Sequence, residues 1–230
     1  MGLKAENLKI IDKELGVVPI FLSFEKGKND FALNAFLSNT KKETYLYAVR
    51  SNSSDEDGLN KTNAGKYTSL LFVRPDELEN AINEVYKTSN GVIIQDMILD
   101  PEISGVAYIS EENQVFHLAE GLCSGITSGK VLTYDIHMSN FNHIYKKNEL
   151  EIPNVNLKTI YNGKEIEEVL IEESSVLEGF NIFEYIDIFK NIYKLFDYSV
   201  CEIEFSIKDN KLYCLQCRKI QKKENLCKVH

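Results

Sequence analysis

The residues best suited to chemistry lie towards the C-terminal end, in two runs that alternate polar and apolar side chains. Glu202, Glu204 and Ser206 alternate with Ile203, Phe205 and Ile207, and Cys214, Gln216 and Arg218 alternate with Tyr213, Leu215 and Cys217. Alternation with a period of two marks strands with one face buried. A three-residue loop, Asp209-Asn210-Lys211, sets Glu204 opposite Gln216 and Glu202 opposite Arg218, with both apolar sets on the other face. A two-residue loop would mix the faces, so the pattern selects the longer one. The polar face has two readings. It is the solvated outer side of a hairpin, or it is a site for a hard cation carrying phosphate. Magnesium takes one or two carboxylates plus ligand oxygens, and an arginine fork matches phosphate geometry. The alternation does not choose between them.

A second candidate lies over residues 48–73, AVRSNSSDEDGLNKTNAGKYTSLLFV. Arg50 ends a strand, hydroxyl, Asp and Asn side chains follow, and Ala64-Gly65 makes a small tip before Lys66. Such a tip lets backbone N–H groups approach phosphate oxygens, while Arg50 and Lys66 supply charge. No G-x-x-x-x-G-K-[ST] loop occurs in the chain, and an ordinary surface loop explains this composition as well. The five cysteines form an odd set, read as reduced thiols. Cys214-x-x-Cys217 has the spacing of a zinc or redox motif, but an odd separation on a strand sends its side chains to opposite faces, so no metal is expected there.

The elements that must hold these groups follow from periodicity. Residues 3–15 space Leu3, Leu8, Ile11 and Leu15 as a helix, with Gly16 as its stop. Strands are expected over 17–22, 44–50 and 67–73, a second helix over 30–37, and a third over 76–87 behind Pro75. Short strands then follow at 92–98, 105–110, 115–118 and 130–137. Residues 139–163 are polar and give no clear pattern. Helices are expected over 165–177 and 182–195, the closing strands over 199–207 and 211–217, and a basic tail over 221–230. Interleaved helices with several adjacent strands make an α+β chain rather than a doubly wound one.

At 230 residues, with 43% apolar and 27% charged side chains, the composition is that of a globular protein with a sizeable core. Its apolar runs are strand-sized and far short of a bilayer span. No basic and apolar leader opens the chain, so a cytoplasmic location is expected. A net charge of −9 argues against broad nucleic-acid or anionic-membrane binding, though not against a local basic pocket.

Taken together, the motifs resemble the N-terminal ATP-binding region of the phosphoenolpyruvate synthase and pyruvate phosphate dikinase family. Gly2-Leu3-Lys4-Ala5-Glu6-Asn7-Leu8 is similar to that family's G-x-K-x-x-N-L opening, continued by Val18-Pro19 and Phe21. Ala48-Val49-Arg50-Ser51 is similar to its A-V-R-S strand end, and residues 62–71 to its S-F-A-G-Q-Y-E-T-F-L loop. Ile94-Gln95-Asp96-Met97-Ile98 resembles V-Q-x-M-V, Ser104-Gly105-Val106 resembles S-G-V, and Gly121-Leu122 with Ser128-Gly129 resembles the ends of G-L-G-E-x-V-V-x-G. The closing D-I-E-W and G-K-L-Y-I-L-Q-S-R are matched by residues 202–205 and 211–218. About eight such motifs run in family order from residue 2 to residue 218.

The resemblance implies an ATP-grasp fold, two α+β subdomains (1–90 and 91–220) with the nucleotide between them. It implies ATP and Mg²⁺ as cofactors. Lys4 and Arg50 would contact nucleotide phosphates, the Ala64, Gly65 and Lys66 loop would close over them, and Gln95 would lie beside the adenine. Glu204 and Gln216 would hold Mg²⁺, and Arg218 would stabilise charge on the transferring phosphoryl group. The implied activity is ATP-dependent phosphotransfer to an acceptor outside this chain. That acceptor is a partner histidine, or a small molecule such as a glutamine amide or a rifamycin antibiotic, as in relatives of that region. The alternative is an inactive nucleotide-binding module used for regulation or assembly. It draws on departures from the family: the short passage from Val85 to Gly91, Cys123-Ser124 in place of Gly-Glu, Lys66 for glutamine and Lys219 for proline. The family's G-G-x-x-S-H-A histidine motif is absent, so His117, His137, His143 and His230 are expected to be ordinary strand or surface residues.

Overall fold

The computed structural model describes residues 2–27, 33, 46–53, 68–148, 157–171 and 176–220. The helix expected over 30–37, the Ala64, Gly65 and Lys66 tip, and the tail over 221–230 lie outside them. Contacts divide the chain into two compact units, Met1–Ile10 with Val18–Met97, and Ile11–Val17 with Ile98–His230.

The first unit holds most of helix α1 (Leu3–Leu15), strands β1 (Phe21–Glu25), β2 (Tyr47–Ser51) and β3 (Ser69–Val73), helix α2 (Leu78–Val85) and strand β4 (Gly91–Asp96). The strands form an antiparallel sheet in the order β1-β4-β2-β3. Pro19 has no N–H to give a ladder, and the strand expected over 17–22 instead begins after it, at Phe21. β4, read from sequence as part of the second subdomain, is a central strand of this sheet. Val92 and Ile94 on β4 and Val49 on β2 bury against Leu78, Ile82 and Val85 of α2. That amphipathic face makes the helix: a Pro75–Glu77 turn leads into it and its apolar residues recur every three or four positions.

The second unit is built on a six-stranded antiparallel sheet in the order β12-β11-β5-β6-β7-β8. Its strands are β5 (Ile103–Ile109), β6 (Asn113–Glu120), β7 (Tyr134–Ser139), β8 (His143–Asn148), β11 (Cys201–Lys208) and β12 (Lys211–Lys219). Helix α4 (Ile186–Lys194) covers one face, where Phe189 meets Phe116 and Phe205 edge to face at 5.1 and 4.9 Å between ring centres. Helix α3 (Cys123–Thr127) lies over β5 and β6 on the other side, with Cys123 packed against Val106 and Leu215. A separate hairpin joins β9 (Leu157–Tyr161) to β10 (Ile166–Leu170).

That hairpin corrects the helix expected over 165–177. Asn162-Gly163 is a hairpin signal: Gly163 takes φ +95°, and the Asn162 side chain accepts from the Lys164 and Glu165 N–H groups. The turn reverses the chain, and residues 166–170 become a strand in spite of their glutamates.

The closing hairpin β11–β12 corrects the expected loop. Its loop is the two residues Asp209 and Asn210, both at positive φ (52° and 57°), with Lys208 opposite Lys211. A bulge at Leu215, opposite the step from Glu204 to Phe205, restores the register beyond it. Near the turn, Cys214 therefore pairs with Phe205 and Tyr213 with Ser206, whereas further along Gln216 pairs with Glu204 and Arg218 with Glu202. Cys214 thus belongs to the buried face and Tyr213 to the polar one, the reverse of the expected order. Cys214 and Cys217, opposite Phe205 and Ile203, also share a face, because the extra residue cancels the odd spacing. Both are fully buried with Cys201. Burial raises the Cys214 thiol, and a hydrogen bond with Cys201 together with burial raises Cys217. Among the described residues no group of His, Cys, Asp or Glu side chains is arranged to hold a metal by itself.

Candidate functional site

The face of the six-stranded sheet opposite α4 carries the polar residues singled out in the sequence. Antiparallel pairing sets residues in rows across the strands, each row on one face. One row runs Gln216, Glu204, Val106, His117 and Asp135; the next runs Arg218, Glu202, Tyr108, Val115 and His137. Glu204 is half-buried, while Gln216 is 7% and Glu202 6% exposed.

Arg218 donates from Nε to Oε1 of Glu202 at 2.6 Å. Burial works against the guanidinium charge, but the hydrogen-bonded Glu202 carboxylate, with Glu204 beyond it, holds the group above its usual value. On the far side of Glu202, the Tyr108 phenol lies beside the same carboxylate, its residue paired with Glu202 across β5 and β11. It is pushed up to about 12, first by burial and then by the Glu202 charge. Glu202 is therefore engaged by Arg218. Glu204 and Gln216 face each other as an anionic and a neutral oxygen donor. That donor set suits Mg²⁺, which takes few protein oxygens and completes its shell from phosphate and water.

Further along the first row, His117 Nδ1 lies 2.7 Å from Asp135 Oδ1, and Thr133 donates to the same oxygen at 2.8 Å. Burial raises the Asp135 carboxyl, but the bonds from His117 and Thr133 outweigh it and hold the group below its usual value. The His117 ring also stands edge-on to Tyr108, 5.8 Å between centres. His117 is thus part of a polar chain across the sheet rather than an isolated strand histidine. Neither the placing of Tyr108 beside Glu202 nor the His117–Asp135 pair was readable in sequence. The first depends on the pairing of β5 with β11, strands far apart in the chain, and the second on the register of β6 against β7.

In the first unit, Lys4 and Arg50 lie towards the end of β2, while Gln95 pairs with Ala48 nearer its start. The Ala5 N–H donates to the Asn52 side chain at 3.2 Å, and the Asn52 N–H donates to the Gly91 carbonyl at 3.0 Å. Ser89 Oγ secures this corner by donating to the Gly91 carbonyl at 2.7 Å. A Cβ on Gly91 would lie 2.3 Å from the Asn52 carbonyl oxygen, so only glycine permits the approach. The first turn of α1, with Lys4, is thereby fixed beside the end of β2, where Arg50 is the last residue but one. Arg50 pairs with Ile93, and Gln95 pairs with Ala48, so Arg50 and Gln95 lie on the same face of the sheet. Gln95 is 1% exposed, and its side-chain nitrogen has no hydrogen-bond partner among the described residues.

This architecture is the ATP-grasp fold. Among solved structures, the chain is similar to the VanG D-Ala:D-Ser ligase of Enterococcus faecalis, with a TM-score of 0.51, 12% identity, and coverage of 94% of this chain and 52% of that one. It is also similar to a D-alanine–D-alanine ligase from Bacillus anthracis, at a TM-score of 0.49, 15% identity, and coverage of 94% and 55%. The chain spans about half the length of these structures. Among curated proteins, it is 27% identical over 218 residues to the "Uncharacterized phosphotransferase YvkC" of Bacillus subtilis (strain 168), covering 78% of this chain and 25% of that protein. No family model matches the chain. No described helix is long and apolar enough to cross a membrane.

Proposed function

We propose that this chain is an ATP-Mg²⁺-dependent phosphotransferase domain of the kind found in phosphoenolpyruvate synthase and its relatives. The observation that carries this reading is the pairing of Glu204 with Gln216 beside an Arg218 held by Glu202, all on one face of the second sheet. The eight colinear motifs and the similarity to a phosphotransferase support it.

In this reading, Glu204 and Gln216 hold the Mg²⁺ ion, which when bound neutralises phosphate charge. With its Nε engaged by Glu202, Arg218 presents its two terminal nitrogens to a phosphoryl group as a fork. Fixing the guanidinium in advance matters, because phosphoryl transfer is accelerated mainly by positioning and charge stabilisation. Lys4 and Arg50 contact nucleotide phosphates, and the Ala64, Gly65 and Lys66 loop covers them. The buried amide nitrogen of Gln95 supplies a donor to the base. The final acceptor lies outside this chain, on a small molecule or a partner protein.

Replacing Arg218 or Glu204 by alanine tests the assignment. Each change is expected to lower ATP turnover by a factor of ~10²–10³, the usual cost of removing one charge-stabilising group. Glu204→Ala also raises the Mg²⁺ concentration needed for half-maximal rate. Full activity in both variants would show that this face is not the site.

A further inference from the structure

Glu202 lies between two side chains of its row, Arg218 on β12 and Tyr108 on β5. Its Oε1 takes the Arg218 Nε–H at 2.6 Å, and its side chain is almost fully buried. A bond at one oxygen fixes the distance to Arg218 but leaves the carboxylate free to turn about its long side chain. The second oxygen, Oε2, is an anionic acceptor cut off from most of the water, a costly position unless a donor meets it. The Tyr108 phenol beside it is such a donor. Packing holds that phenol in place. The ring lies against the Val106, Cys123 and Leu215 cluster, and His117 stands edge-on to it, 5.8 Å between centres. Burial, and after it the Glu202 charge, pushes the phenol up to about 12, so it keeps the proton it would donate at neutral pH.

We propose that Tyr108 is a positioning residue, whose phenol donates to Oε2 of Glu202 and so fixes the carboxylate that orients Arg218; the proposal rests on the phosphotransferase reading above. Held at both oxygens, the Glu202 carboxylate has one plane and one direction. The guanidinium bonded to it then has one orientation too, with its two terminal nitrogens free for a phosphoryl group. Tyr108 touches neither nucleotide nor metal in this role. Its effect reaches the reaction through the preorganisation of Arg218, on which charge stabilisation depends. A residue needed for packing alone would be served equally by phenylalanine, which keeps the ring and lacks the hydroxyl.

Tyr108→Phe tests this with two readouts. The first uses the protein without ligands: ¹H–¹⁵N spectra follow solvent exchange of the Arg218 Nε–H, assigned by its loss in Arg218→Lys. Exchange is expected to quicken about ten-fold in Tyr108→Phe, with the melting temperature kept, the scale of one hydrogen bond to a charged group. The second is ATP turnover with Mg²⁺. Tyr108→Phe is expected to lower kcat about ten-fold and leave KM for ATP unchanged. Added to Arg218→Ala, the same change costs nothing further, because the group it positions is gone. Three results each overturn the role of Tyr108 and leave the phosphotransferase reading standing: unchanged Nε–H exchange, a change in KM with kcat intact, or an equal loss of kcat in the Arg218→Ala background. Full turnover in Arg218→Ala overturns that reading and this inference with it.

Discussion

Glu202 and Glu204 are two residues apart on one strand, yet the structure gives them different work. Glu202 is buried and committed to Arg218, whereas Glu204 faces Gln216. Removing Glu202 should therefore affect the orientation of Arg218 rather than the demand for metal. Asp96, at the end of β4, presents a different situation. Burial raises its carboxyl to about 6 from an ordinary 3.8, and its Oδ1 has no hydrogen-bond partner among the described residues. A carboxyl raised on folding binds its proton more tightly in the native state. Its contribution to stability is thus present below about 3.8 and lost as pH rises through about 6. Asp96→Asn should raise the melting temperature above pH 6, with the gain shrinking to nothing near pH 4. A gain that is the same at both ends of this range would exclude Asp96 as its cause.

At the scale of elements, the bulge at Leu215 brings the site together. Without it, a two-residue loop would place Gln216 and Arg218 on the core face with Phe205 and Ile203. Deleting Leu215 should close the bulge and, with the turn unchanged, keep Gln216 opposite Glu204 and Arg218 opposite Glu202. The expected outcome is lower stability, because Leu215 no longer packs on Val106 and Cys123, with ATP turnover kept in the folded protein, read by thermal unfolding and activity on the same sample. Turnover lost with stability unchanged would mean that the bulge does more than set the register. The residue pairs themselves were legible, because alternation around Glu204 and Gln216 constrains the register far from the turn. The turn was not legible, because a single extra residue leaves both local alternations intact and shifts only their relation. The β9–β10 hairpin was missed for a different reason. Asn162-Gly163 announces a reversal, but a run of glutamates and aliphatics reads equally as helix when its pairing partner is unknown.

For the whole molecule, composition and motif order carried the fold class: an α+β chain with strands in the expected order, in the ATP-grasp arrangement. The division between units was less visible. Residues 91–96 follow directly on a helix of the first unit and pair back into its sheet, so the contacts separate after Met97 rather than at residue 90. An acidic chain of net charge −9 that binds a polyanion must do so through local cations and a metal. In the proposed reading, Mg²⁺ held by Glu204 and Gln216 meets most of that need, so nucleotide binding should depend on the metal. Isothermal titration of ATP into the wild-type protein and the Glu204→Ala variant, with Mg²⁺ and with excess EDTA, tests it most directly. The account predicts binding by the wild type that is lost in EDTA and weakened at least ten-fold in Glu204→Ala, a difference of about 1.4 kcal/mol or more. Equal affinity with and without Mg²⁺, or an unchanged affinity in Glu204→Ala, would contradict it.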